Sequence, residues 1–126
     1  MSFSNNAENL VLQWALTAGA VTRPSAWYVA LFTADPTDAD TGTEVTGGSY
    51  ARTAVTFSVT GNAATNTGGV EFPAATASWG TVSHIGVYDA STGGNLIFHS
   101  ALTTAKTITD GDVFRIPVND LDFTLD

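Results

Sequence analysis

Four acids fall within ten residues, Asp35, Asp38, Asp40 and Glu44, and a hard cation such as calcium takes several oxygen ligands from one flexible loop of this kind. The spacing lacks the alternating acids, central glycine and distant glutamate of the calcium-loop pattern, so a solvated acidic loop is the expectation and no metal is assigned. His84 and His99 are the only histidines. Serine, histidine and aspartate all occur, but no nucleophile elbow or other catalytic motif places them together, and each histidine is expected to be a surface or satisfied core side chain. Glycoside hydrolysis needs two correctly placed carboxylates, whereas the acids here lie mostly in turns. With no cysteine there is no thiol nucleophile, thiolate metal site or disulfide framework. The chain is therefore read as non-enzymatic, with no cofactor.

Two other groups of residues suit binding. Trp14, Trp27, Trp79, Tyr28, Tyr50 and Tyr88 could stack on sugar rings, although strand aromatics more often anchor a core or an interface. Arg52 is one of only four basic residues against twelve acids, and it follows the acidic loop beside Tyr50. It is expected to pair with an acid of its own subunit or of the next.

These residues must be held by recognisable elements. Asn5 can cap a helix with Glu8 three residues on, and the helix should run from about Asn6 to Ala18, with Gly19 as its stop and Pro24 barring continuation. Ala7, Leu10, Val11, Trp14, Ala15 and Ala18 follow the spacing of one buried face, yet Leu12 and Leu16 fall on the other side. Such a helix either plugs the open end of its own domain or packs between protomers. The candidate interface residues are Leu10, Leu12, Trp14, Leu16, Arg52 and Trp79.

After the helix the chain reads as strand. Ala26 to Phe32 is apolar on both faces, with Trp27, Val29 and Leu31 opposite Tyr28, Ala30 and Phe32, and should be covered on both sides. Residues 33–49 form a loop longer than a hairpin needs. Tyr50 to Thr60 alternates, sending Val55, Phe57 and Val59 to the core, and Ala63 to Phe72 is a weaker strand broken at Gly68-Gly69. Residues 73–80 should drop the Trp79 indole into the core or an interface. Strands are expected over 81–89 and 95–103, and Asp110-Gly111 signals a hairpin between 107–108 and 113–116. Leu121, Phe123 and Leu125 alternate with Asp122, Thr124 and Asp126 in a final strand. Short, regularly spaced strands with Gly and Asp turns predict a mostly β single domain, an antiparallel β-sandwich of about eight strands with one N-terminal α-helix; a closed barrel is the runner-up.

Composition narrows the partners. A net charge of −8 leaves no cationic cluster to replace the counterions of nucleic acid, so nucleic-acid binding is excluded. No run of 18 or more apolar residues and no basic, apolar leader occur, so the reading is a soluble protein made in a cytoplasm, without a membrane partner. Threonine supplies 20 of 126 residues while charged residues make up 13%, so the pleated surface stays wettable with little charge.

The stretch 27–38 (WYVALFTADPTD), followed by Gly42-Thr43-Glu44-Val45 and by 47–52 (GGSYAR), resembles a family of small tailed-bacteriophage virion proteins described as tail-fibre-like or head decoration proteins. The resemblance continues through 72–89 (FPAATASWGTVSHIGVYD), Gly93-Gly94-Asn95-Leu96, Leu102-Thr103 and 121–126 (LDFTLD), nearly the full chain. It implies a building block of the virion, assembled in the host bacterial cytoplasm. The expected role is a capsid decoration or cement protein, a homotrimer packed against the phage major capsid protein between capsomers. The alternative is a tail-associated or tail-fibre module that binds a host surface glycan.

Overall fold

A computed structural model describes residues 1–125. It is a mostly β domain with one helix. The chain runs β1 (Ser2–Phe3), α1 (Asn5–Leu16), β2 (Trp27–Ala34), β3 (Thr43–Glu44), β4 (Thr53–Val55), β5 (Phe57–Thr60), β6 (Ala63–Asn66), β7 (Val70–Glu71), β8 (Gly80–Tyr88), β9 (Leu96–Ile108), β10 (Arg115–Ile116) and β11 (Asp122–Thr124). The main sheet has the order β1-β9-β8-β2-β3, with β4 also on β2; β10 pairs with β7, and β6 lies between β11 and β5. All pairings are antiparallel. The result is β-sandwich-like.

The pleat of β2 and β8 sorts side chains between two cores, because successive residues face opposite ways. Val29, Leu31, Ile85 and Val87 point into the larger one, where Phe72, Phe98, Phe114, Ile116, Leu121 and Phe123 from the other strands and loops meet them. Ala30, Phe32, Tyr88 and Leu96 form a smaller cluster on the opposite face. The apolar run of β2 is thus covered on both sides, as its composition requires. Gly86 in β8 allows the second cluster to close, since a Cβ there would stand 2.8 Å from Leu96 Cδ1 and 2.9 Å from Phe32 Cε2.

One buried polar side chain ties the smaller sheets together. Asn66, fully buried at the end of β6, donates through Nδ2 to the carbonyls of Gly68 (2.8 Å) and Pro117 (2.9 Å), and its Oδ1 accepts from the Leu121 N–H at 2.9 Å. Buried amides are tolerated when satisfied in this way.

Several boundaries differ from expectation for physical reasons. The helix begins one residue early because Ser4, not Asn5, is its N-cap: the Ser4 hydroxyl accepts from the Ala7 N–H at 3.1 Å and donates to the Leu96 carbonyl. It ends at Leu16, before Gly19, because Thr17 turns extended and bonds the Gln13 carbonyl through both its N–H and its hydroxyl. The strand expected over 50–60 breaks at Thr56, so that β4 joins the main sheet and β5 the three-stranded one. That change of sheet leaves Val59 73% exposed, against the core position its alternation suggested.

Asp110-Gly111 does form a turn, with Gly111 at φ +91° and Asp112 accepting from the Thr109 N–H, but it links no hairpin. The residues before it pair with β8 in the main sheet, whereas β10 pairs with β7. In the final strand Leu121 and Phe123 are buried and Leu125 is 46% exposed; Asp126 lies outside the described residues.

Candidate functional site

The Arg52 guanidinium meets Glu44 in a two-pronged pair, Nε to Oε2 at 2.9 Å and Nη2 to Oε1 at 2.8 Å. Register places Glu44, since β3 pairs it with Phe32 of β2, and the chain then doubles back through Gly47, Gly48 and Ser49, all at positive φ. Nη1 of Arg52 donates to the carbonyls of Ala90 (3.0 Å) and Gly93 (2.7 Å) in the turn after β8, and the guanidinium carbon lies 3.6 Å from the centre of the Tyr88 ring. One side chain, 8% exposed, thus locks three segments. Bidentate geometry and cation–π contact are what distinguish arginine from lysine at such a site.

Tyr50 completes this clamp. Its hydroxyl donates to Glu44 Oε2 at 2.7 Å and accepts from the Leu31 N–H at 3.0 Å, while its ring packs edge-on against Trp79 at 5.4 Å. Burial, followed by the bond to Glu44, pushes the Tyr50 phenol far above its ordinary range, and burial with the bond to Asp40 does the same to Tyr88. Both therefore remain protonated donors. Burial works against the Arg52 charge, but Glu44 more than offsets it and raises the pKa. A groove beside the clamp is lined by Glu44, Thr46, Tyr50, Arg52, Ser91 and Thr92. The ionised groups facing it already bind each other, so the arrangement holds loops in place and leaves no free acid–base pair.

The acids of the long loop are distributed in the same manner. Asp40 accepts from the Tyr88 hydroxyl, and Asp35 accepts from the Thr37 N–H at 2.8 Å. Asp38 Oδ1 lies 2.7 Å from His99 Nε2 and accepts from the Ser2 hydroxyl at 3.1 Å, while its carbonyl accepts from the Asn5 N–H at the start of the helix. Among the described residues no three such groups converge in a metal-holding arrangement. Both histidines face this loop: Asp35 lies 3.9 Å from both His84 Nε2 and His99 Nδ1.

The bond to His99 and the one from Ser2 hold Asp38 below the usual carboxylate range. A depressed carboxylate stabilises the fold above its unfolded value of about 3.9 and loses that contribution as pH falls through its lower, folded value. Thermal melts of Asp38→Asn should therefore show a shallower loss of stability on acidification than the parent chain; an identical acid limb would dismiss the assignment.

The remaining candidate residues fall in two places. Trp79 is buried, with its indole N–H donating to the Gly48 carbonyl at 2.9 Å, and with Arg52 it belongs to the clamp. Leu10, Leu12, Trp14 and Leu16 lie on α1, of whose residues only Ala7 is buried. Leu12 is 56%, Trp14 72% and Leu16 76% exposed, so the helix does not plug its own domain. Nor do the six Trp and Tyr side chains form one platform: Trp79 and Tyr88 are buried, Trp27, Tyr28 and Tyr50 half-buried, and Trp14 stands apart on the helix.

The Arg52–Glu44 pair had a signal in the sequence, a lone arginine just past an acidic loop. The pairing of His99 with Asp38 had none, because 61 residues separate them.

The antiparallel β-domain thus uses Arg52, Glu44 and Asp38 to brace its own loops and presents an apolar helix to its surroundings. The model of the family described as podophage GP4 fiber I protein gp80 matches residues 2–124. The chain belongs to that family, and with it to the fibre-like structural proteins of bacteriophage virions. No curated protein matches it.

Proposed function

We propose that the chain is a non-enzymatic structural subunit of a phage fibre, which works by associating with copies of itself, as a homotrimer, and with neighbouring virion proteins. The observation that carries this reading is the exposed helix: several large apolar side chains stand in water on a domain whose charged groups are largely engaged internally. Exposed contiguous apolar surface marks an interaction site. The family description favours a fibre over a capsid decoration protein. Host-glycan recognition finds less support, because most of the aromatic side chains that would stack on sugars are engaged in the fold.

Cross-linking mass spectrometry on intact virions, with copy number quantified in the same sample, tests the proposal. Low copy number with links to tail proteins is the expected result. High copy number with links to the major capsid protein would replace the fibre role with a capsid decoration and cement role.

A further inference from the structure

We infer that residues 5–26 form a self-association arm that takes the same arm of neighbouring copies. This deepens the proposed fibre role by naming the surface and its occupant.

The root of the arm is fixed. Ser4, 1% exposed, bonds the Leu96 carbonyl through its hydroxyl and the Ile97 carbonyl through its N–H, and the Asn5 N–H bonds the Asp38 carbonyl. The helix therefore leaves the domain in a defined direction, and every residue from Val11 to Ala20 is exposed. Isolated helices shorter than about 12 to 15 residues are marginal in water, so this one, 12 residues long, gains from cover that its own domain does not supply.

Its shape is self-complementary. At about 100° per residue, Leu12 and Leu16 share one flank while Leu10 and Trp14 share the opposite one. On the second flank the returning segment lays Val21 and Pro24 against Leu10, Val11 and Trp14 around an apolar notch of about 330 Å³. The arm thus carries a leucine ridge on one side and a notch on the other.

Charge selects the occupant. Of the sixteen acidic and basic residues the arm holds only Glu8 and Arg23, so it is neutral on a chain of net charge −8. Like-charged copies repel through their acidic bodies and meet most favourably through this neutral surface. Glu8 and Arg23 are both exposed and neither has an ion-pair partner among the described residues. They complement each other between copies.

Area then sets the number of neighbours. A 12-residue helix is about 18 Å long, and one flank of it offers far less than the roughly 800 Å² per partner of a standard interface. With both flanks apolar, each arm meets two others. The smallest closed arrangement of that kind is a trimer.

Sedimentation equilibrium of the full chain over a dilution series, beside three variants, is the test. The parent chain should associate beyond a dimer and dissociate on dilution. Trp14→Ser, which alters a side chain already exposed in the single subunit, should weaken association at least about thirtyfold while the dilute subunit keeps its melting temperature. Glu8→Arg and Arg23→Glu should each weaken it, and the double exchange should recover most of the loss. A parent chain that stays monomeric at every concentration overturns the inference, as does a Trp14→Ser variant that assembles normally or a double exchange that recovers nothing. If the chain is monomeric alone but virions carry it in their fibres, the arm assignment and the homotrimer fail, and a fibre subunit held by other virion proteins stands.

Discussion

Replacing Arg52 with alanine should lower the unfolding free energy by about 3 kcal/mol, the low end of the range for breaking a buried ion pair, because Glu44 is still 24% exposed and water can reach the orphaned carboxylate. The loss has identifiable parts. Glu44 keeps only the Tyr50 hydroxyl as a partner, the Ala90 and Gly93 carbonyls lose their donor, and the Tyr88 ring loses the cation over its face. Lysine at this position should recover less than half, since a point charge cannot supply both prongs to Glu44 and the carbonyl bonds as well.

Urea melts on dilute protein measure the effect directly. A drop below about 1 kcal/mol would mean that solvent already screens the pair. The sequence leaves Arg52 to pair with an acid of its own subunit or of the next; its partner in the structure is Glu44 of the same chain, and the effect expected is on the stability of each subunit.

The Trp79→Ala substitution should cost about 3 to 5 kcal/mol, the range for truncating a large buried aromatic. Trp79 is 4% exposed, and its indole N–H donates to the Gly48 carbonyl, which also accepts from the Thr76 N–H. Gly48 sits at φ +57° so close to the ring that a Cβ would come within 2.8 Å of Trp79 Nε1. The indole, the glycine and Tyr50 are thus one packed unit. Phenylalanine at position 79 should retain much of the burial and lose one hydrogen bond, a cost of about 0.5 to 1.5 kcal/mol, because the Gly48 carbonyl still accepts from the Thr76 N–H at 3.0 Å.

Because Trp79 and Arg52 both act on Tyr50, their effects should not add. The double variant is expected to lose less than the sum of the two single losses, with a coupling of about 0.5 kcal/mol or more. Full additivity in a double-mutant cycle would show that the clamp and the indole hold the loop independently.

Much of the architecture was legible from local pattern. Alternation in β2 separated Val29 and Leu31 from Ala30 and Phe32, and the two cores follow that division. The break at Gly68-Gly69 and the inward Trp79 were readable for the same reason: a glycine pair interrupts pleating, and an indole in a short loop has to be buried. Leu12 and Leu16 opposite Trp14 left two readings, a helix that plugs its own domain or one that packs between protomers, and the exposure of all three excludes the first.

What local pattern could not carry was partnership over distance. Residues 50–60 alternate without interruption, yet the strand changes sheet at Thr56 and Val59 ends in solvent, because alternation records which residues share a face and not which neighbour covers it. Asp110-Gly111 has the chemistry of a hairpin turn, but β7 competes for β10 and wins it. Ser4 outcompetes Asn5 as helix cap because its hydroxyl also reaches Leu96, 92 residues away.

By itself, then, the sequence determined the β class, the two-sided apolar run of β2, the acidic balance of side chains, and the helix with apolar flanks, all of which depend on neighbours two to four residues apart. Only the tertiary structure decided that Arg52 would close on Glu44, that Asp38 would join His99 to the helix root, and that the helix would stand clear of its own domain. Those outcomes depend on strand pairing and loop closure between distant segments, whose free energies are properties of the assembled fold.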